Sequence, residues 1–322
     1  MNHKLHILIV DEVHEELMIC LKELGIDYTY SPEIAVDAIP GELLSYNGII
    51  VRSKLHLTSE FLQMQPQLKF IARAGSGMDN IDLDEAERRN IMCVNAGEAN
   101  ADAVAEHALG LLLSLQHKIV KSNRELVQNK WDREGNRGQE IGTKTIGIIG
   151  FGKLGQQIAK IANAFGMNVI AWSENLKISV ATDNKALAVT KEELLEQSDF
   201  ISIHYVLSER SRNLIKYEDL SKMKSTAFIV NTSRGPLINE NDLIKALEEK
   251  KIAGVGLDVY DNEPLPENHK LRFLPNAFLT PHLGYVIEQN YEIFYSQMAE
   301  NLQSFLDGTP QRVIDGDPSK II

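Results

Sequence analysis

Three polar side chains in the second half of the chain each follow an apolar run: Arg234 in "IVNTSRGPLIN", Glu263 in "GVGLDVYDNEPLP" and His282 in "LTPHLG". In open α/β sheets the ligand crevice forms at such strand ends. Arginine grips a carboxylate with a fork of two hydrogen bonds. Histidine titrates near neutrality, so it can take a proton from a hydroxyl and return it in the reverse direction. A carboxylate beside the imidazole orients it and favours its charged form. Together the three suit hydride transfer on a 2-hydroxy acid. Singly, each has a plainer reading: a solvated loop residue for Glu263, a surface ion-pair partner for Arg234, a sheet-edge histidine for His282. Their order and shared context favour the chemistry.

A redox partner is signalled upstream. The apolar run "TIGIIG" passes directly into "GFGKLG" and then into "QQIAKIANAFG", placing glycines at Gly150, Gly152 and Gly155 between strand and helix. The first glycine permits the tight turn, the second lets backbone approach a pyrophosphate, and the third lets helix and strand pack closely. The helix N-terminus then offers unpaired N–H groups to phosphate oxygens. A ribose-binding acid is expected about twenty residues on, where the chain has Ser173 followed by Glu174. The usual Asp is absent, but Glu174 can accept from a ribose hydroxyl and no Arg follows. NAD is favoured, with NADP left open.

The elements that must position these groups alternate between short β-branched runs and helical patterns, which predicts an α/β fold with parallel sheets. Strands are expected at 5–10, 48–52, 69–72 and 91–95, and again in "KTIGIIG", "NVIAW", "DFISIH", "STAFIVN" and "IAGVGLDV". Helices are expected at 14–24 and 82–90. Residues 99–131 read as one long helix or a helix pair. A helix over 286–306 carries Tyr291, Phe294, Tyr295, Met298, Leu302 and Phe305 at helical spacing, a stripe that reads as core packing. At 322 residues the chain exceeds one core, so two domains are expected. The net charge of -12, with no basic cluster, argues against a nucleic-acid partner. The apolar run at Leu5–Val10 is too short for a membrane span or signal peptide, which predicts a cytoplasmic protein. Cys20 and Cys93 lie in apolar contexts and read as buried thiols; no metal-ligand spacing occurs.

With "RAGSGMDNIDL", "NADAVAEHALGLLL", "GFGKLG", "NTSRG", "LDVYDNEP" and "TPHLG" in this order, the sequence resembles the D-isomer-specific 2-hydroxyacid dehydrogenase family over nearly its whole length. The resemblance implies two Rossmann-like or flavodoxin-like domains with a catalytic cleft between them. The substrate-binding domain would comprise 1–98 plus 285–322, and the NAD-binding domain 99–284. It implies that Arg234 binds the substrate carboxylate, that His282 is the acid/base and that Glu263 pairs with it. Asp258 would hold the nicotinamide carboxamide, and Lys153, Leu154, His204, Thr232 and Ser233 would line the cofactor. Asn100 and the backbone of Gly75, Ser76 and Gly77 would contact substrate. A homodimer through the nucleotide domain is implied, with "LLLSLQHKIVKSNRELVQNKW" as the contact.

Within the family, "RSKLHLTSEFL", "FIARAGSGMDNIDL" and residues 130–155 are most similar to the phosphoglycerate dehydrogenase branch. This implies oxidation of 3-phosphoglycerate to 3-phosphohydroxypyruvate in serine biosynthesis, with Arg52, Ser53 and Arg73 at the substrate. The chain departs from family habit at Val206, where Pro is common, at Ala103, where Ser or Thr is common, and at Tyr285, where that branch has small residues. Its end near 322 leads to the expectation of no regulatory domain. A glyoxylate, hydroxypyruvate or other 2-keto acid reductase is the alternative enzyme. A non-catalytic NAD-sensing corepressor is the alternative of another class.

Overall fold

The computed structural model describes residues 5–52, 55–97 and 101–314. The chain divides into two compact units, Met1–Asn100 with Ile287–Ile322, and Ala101–Val286.

The first unit is built on β1 (His6–Ile9), β2 (Asp27–Tyr30), β3 (Gly48–Val51), β4 (Phe70–Arg73) and β5 (Met92–Asn95), paired in parallel in the order β2-β1-β3-β4-β5. That is the flavodoxin-type order of a doubly wound sheet. β1, β3, β4 and β5 are apolar and almost wholly buried, as central parallel strands are. β2 reads "DYTY", half exposed at the edge, so it lacks the apolar run that marks the others. The helix Glu288–Leu306 returns to this unit and buries Phe294, Tyr295, Met298 and Leu302. Tyr291 and Phe305 are only partly buried, Phe305 lying 4.8 Å from the Phe70 ring. Both cysteines are free thiols. Cys93 is buried, but Cys20 is only partly so, because it sits at the rim of the stripe that Leu17 and Leu21 turn to the core.

The second unit contains β6 (Thr145–Ile149), β7 (Asn168–Trp172), β8 (Leu187–Ala188), β9 (Phe200–Ile203), β10 (Phe228–Asn231), β11 (Gly254–Leu257) and β12 (Ala277–Leu279). All pair in parallel, in the order β12-β11-β10-β9-β6-β7-β8. The order reverses between β6 and β9, which makes that junction the topological switch point. Alternate residues feed two cores, Ile149, Ile203 and Ile229 on one face, Ile148, Phe200 and Val230 on the other. Residues 101–127 form two helices, Ala101–Gln116 and Ile119–Val127, broken where Lys118 takes a left-handed backbone (φ 52°). The first packs on the sheet closely enough that a Cβ on Gly256 would stand 3.2 Å from the Leu111 side chain.

Pairing across this sheet is in phase. Ile149 stands opposite Trp172 and Ile203, Ile203 opposite Asn231, Asn231 opposite Leu257, and Leu257 opposite Leu279. The residues that follow these partners therefore form one row along the carboxyl edge: Ser173, Gly150, His204, Thr232, Asp258 and Thr280. In the first unit the corresponding edge carries Arg73, opposite Val51, with Arg52 next after Val51.

The closing helix should be integral to the first unit. Phe294→Ala is expected to lower unfolding free energy by about 3–5 kcal/mol, as for a buried aromatic removed from a packed core; urea titration followed by far-UV circular dichroism checks it.

Candidate active site

At the switch point, Gly150 has φ 92°, and a Cβ there would run into the His204 carbonyl. Gly155 is equally constrained, its would-be Cβ colliding with the Gly150 carbonyl, whereas nothing lies within 4 Å of one on Gly152. The first and third glycines thus let turn, strand and helix close up, and the second leaves its flank open. The helix Lys153–Ala164 begins there with no side-chain cap at Gly152. Lys153 is exposed and Leu154 half-buried at its first turn. Ser173 follows β7 half-buried and Glu174 is exposed.

Beside the turn, His204 is buried, its Nε2 2.7 Å from Ser202 Oγ. Its Nδ1 and the Oγ1 of buried Thr232 have no hydrogen-bond partner among the described residues. Buried polar atoms without partners are uncommon, and these two adjoin the open glycine turn in the row. They fit the polar groups of a dinucleotide. Ser233 completes the segment, its hydroxyl donating to the Tyr205 carbonyl at 2.7 Å.

His282 and Glu263 are brought together. His282 Nδ1 lies 2.6 Å from Glu263 Oε2, and Glu263 Oε1 accepts from the Tyr260 N–H at 3.0 Å. The carboxylate is thereby fixed at one oxygen and orients the imidazole with the other, leaving Nε2 as the second ring nitrogen. His282 has a left-handed backbone (φ 55°), which a non-glycine residue holds only when its surroundings impose it. Tyr285 meets the imidazole nearly perpendicularly (84°), ring centroids 5.5 Å apart. Arg234 reaches the same loops through backbone packing: a Cβ on Gly235 would overlap the Tyr260 carbonyl group. Asn231 Nδ2 donates to the Arg234 carbonyl at 2.9 Å, and one guanidinium nitrogen donates to the Ser233 carbonyl at 2.7 Å.

Asp258 is almost wholly buried. Its Oδ1 accepts from Thr280 Oγ1 (2.5 Å) and Leu283 N (2.8 Å) and lies 3.2 Å from His107 Nε2, while Oδ2 accepts from Gly284 N (2.8 Å). Burial alone would raise this carboxyl, but the bonds from His107, Thr280, Leu283 and Gly284 outweigh it and hold it below its usual range. Sequence reasoning missed His107, Thr280 and Tyr260. The only signal for His107 was a polar ring within the apolar "VAEHALGLLL".

In the first unit, Arg52 donates to the Glu12 carbonyl (3.0 Å) and to the Tyr291 hydroxyl (3.3 Å). Arg73 donates to the Ala74 carbonyl (2.7 Å) and lies 3.4 Å from Asn80 Oδ1. Gly75 has φ 145° and leads into Ser76, whose carbonyl accepts from Asn95 Nδ2 at 3.0 Å, and Gly77. Ser53 and Asn100 lie outside the described residues. Among the described residues, no group of three His, Cys, Asp or Glu is placed to hold a metal ion, and no helix is long and apolar enough to cross a membrane.

Burial pushes His204 down to about 3, so the imidazole is neutral in the folded protein. The unfolded chain takes up this proton near pH 6.5. Its neutrality therefore contributes stability in full above about pH 6.5, lost progressively as pH falls toward about 3. His204→Gln should lessen the acid loss of stability between about pH 6 and pH 4 by up to about 1.4 kcal/mol per pH unit, measured by urea titrations at stepped pH.

The sequence pattern of the D-isomer specific 2-hydroxyacid dehydrogenase NAD binding domain matches residues 109–284. The D-3-phosphoglycerate dehydrogenase of Synechocystis sp. is 36% identical over 303 residues, 94% of this chain but 54% of its own. The chain thus spans about half the length of that relative. The hydroxypyruvate reductase of Thermotoga maritima is 36% identical over 277 residues, 85% of this chain and 89% of its own. Among solved structures, a glyoxylate reductase from Paecilomyes thermophila superposes with TM-score 0.86 at 29% identity, covering 97% of this chain and 98% of its own. With the glycine turn at the switch point of its seven-stranded sheet and this similarity along nearly all its length, the chain belongs to the D-isomer specific 2-hydroxyacid dehydrogenase family.

Proposed function

We propose that the chain is an NAD-dependent dehydrogenase interconverting a D-2-hydroxy acid and its 2-keto acid, with the second unit as the nucleotide domain and the first as the substrate domain. The observation that carries this reading is the His282 Nδ1 to Glu263 Oε2 distance of 2.6 Å, with Glu263 itself anchored by Tyr260 N–H. Bound NAD supplies the hydride acceptor. Arg234 takes the substrate carboxylate and sets the hydroxyl-bearing carbon. His282 Nε2 removes the hydroxyl proton in oxidation and returns it in reduction, while Glu263 stabilises the imidazolium that forms. Gly150, Gly152, Lys153, Leu154 and Gly155 take the pyrophosphate side of the cofactor, and Ser173 and Glu174 its ribose. His204, Thr232 and Ser233 line the remainder. Asp258, at the carboxyl edge beside the His282 turn, would hold the nicotinamide carboxamide.

For the substrate we propose 3-phosphoglycerate, which would place the protein in serine synthesis in the cytoplasm. Arg52 and Arg73 support this, standing on adjacent strand ends where a phosphate needs cationic donors. So does the similarity to named D-3-phosphoglycerate dehydrogenases. Hydroxypyruvate or glyoxylate is the second reading. It is favoured by the internal acceptors that occupy part of both guanidinium groups and by the bulk of Tyr285 beside His282.

A panel of phosphohydroxypyruvate, hydroxypyruvate, glyoxylate and pyruvate, each with NADH and NADPH, separates these readings. Phosphohydroxypyruvate with NADH is expected to give the highest kcat/KM; preference for an unphosphorylated acid would replace the phosphoglycerate assignment with the second reading. NADH binding without turnover of any 2-keto acid would favour a corepressor. His282→Ala should lower kcat by about 100-fold or more while leaving the NADH dissociation constant near that of the parent, because proton transfer typically contributes that much.

A homodimer through the nucleotide domain belongs to the same proposal. Leu126, Val127 and Trp131 are exposed at 54%, 75% and 80%, on the helix Ile119–Val127 and just beyond it, an apolar display that suits a matching surface. Val127→Asp should shift the protein toward monomer; light scattering coupled to size exclusion reads this as a halved mass.

A further inference from the structure

We propose that His107 is a positioning residue of the reaction: through Asp258 and Thr280 it fixes the turn that carries His282. The catalytic part of this inference rests on the dehydrogenase reading above. His107 projects from the helix Ala101–Gln116, and its Nε2 lies 3.1 Å from Thr280 Oγ1 and 3.2 Å from Asp258 Oδ1. The Thr280 hydroxyl spends its one proton on Asp258 Oδ1, at 2.5 Å. Both oxygens near the imidazole are then acceptors, so Nε2 must carry a hydrogen and donate to the pair. Asp258, charged and buried, needs those donors.

With Oδ1 held from the His107 side, the carboxylate reaches the backbone N–H groups of Leu283 and Gly284, both at 2.8 Å. Thr280, Leu283 and Gly284 bracket His282. The left-handed backbone of His282 is thus imposed from both flanks, and the Tyr260 hydroxyl adds a bond to the Thr280 carbonyl at 2.8 Å. The anchor is rigid because the helix bearing His107 packs on the sheet, with Leu111 one turn on against β11 at Gly256. His282 therefore takes its position from a helix about 170 residues earlier in the chain, where catalytic groups supported by a packed element are held most tightly.

The experiment compares H107L, which removes the donor, with H107Q, whose amide nitrogen can replace Nε2. Hydrogen exchange at the Leu283 and Gly284 amides is followed without cofactor, alongside kcat and the NADH dissociation constant. H107L is expected to exchange at those amides about tenfold faster or more, and to lose about 10- to 100-fold in kcat at saturating NADH, since misplacement of a catalytic group by about 1 Å costs that much. H107Q should recover most of both. Unchanged exchange at Leu283 and Gly284 in H107L, or kcat within about twofold of the parent, would overturn the proposal. If H107L does not fold, His107→Ala removes the same donor and must show the same pattern; parental behaviour in that variant overturns it equally. Absence of 2-keto acid turnover in the parent would instead sink the dehydrogenase reading, and the exchange rates would still decide whether His107 holds the turn.

Discussion

Ile149, Ile203, Asn231, Leu257 and Leu279 stand level across five neighbouring strands, so the chain leaves each of those strands at the same height. Side chains alternate faces along a strand, and a slip of one residue in any pairing would turn the whole strand inside out against the two apolar cores. The burial of Ile149 and Ile203 on one face, and of Ile148 and Phe200 on the other, therefore fixes where Gly150, His204, Thr232, Asp258 and Thr280 emerge. The polar contacts of the candidate site in the second unit depend on that hydrophobic register. The glycines complete it, since Gly150 and Gly155 allow approaches that a Cβ would block.

Two carboxylates share this edge and are driven to different duties by their surroundings. Asp258, with almost no exposure, has both oxygens committed to donors of the turn, and those donors keep it ionised despite burial. Glu263, partly exposed, commits one oxygen to backbone and presents the other to the imidazole. Tyr260 links the two. Its N–H holds Glu263 and its hydroxyl holds the Leu257 and Thr280 carbonyls, while burial, followed by the charges of Asp258 and Glu263, pushes that hydroxyl well above its ordinary range. It stays protonated and remains a donor.

How much of this was legible depended on whether the signal was local. The apolar strands, the glycine turn between strand and helix, and the triad at strand ends all carry their physics in adjacent residues, and the parallel α/β architecture followed from them. β2, β8 and β12 were not foreseen, because Asp27–Tyr30 is a half-exposed edge, Leu187–Ala188 has two residues and Ala277–Leu279 has three. The break at Lys118 has no glycine or proline to announce it. His107 was invisible for a different reason. Its partners, Asp258 and Thr280, lie in segments that only the sheet and its covering helix bring together. Arg234, Glu263 and His282 stood out by residue type, whereas the groups that hold them in place did not.

The environment of His282 also bears on which chemistry and which substrate can meet. Nδ1 is committed to Glu263, and Tyr285 covers one flank of the ring nearly perpendicularly. Rotation of the imidazole would break a short bond to a carboxylate and drive the ring against an aromatic neighbour, so the tautomer with Nδ1–H and a basic Nε2 is the one the surroundings select. In the proposed reaction, proton exchange is thereby confined to one nitrogen. The same aromatic ring that restricts the imidazole takes up volume beside it, so under the proposed function a longer acid would extend away from Tyr285, whereas a small keto acid would need no such direction. Under the proposed function, proton transfer and substrate size would therefore be selected at one wall, and a change at Tyr285 would move both together.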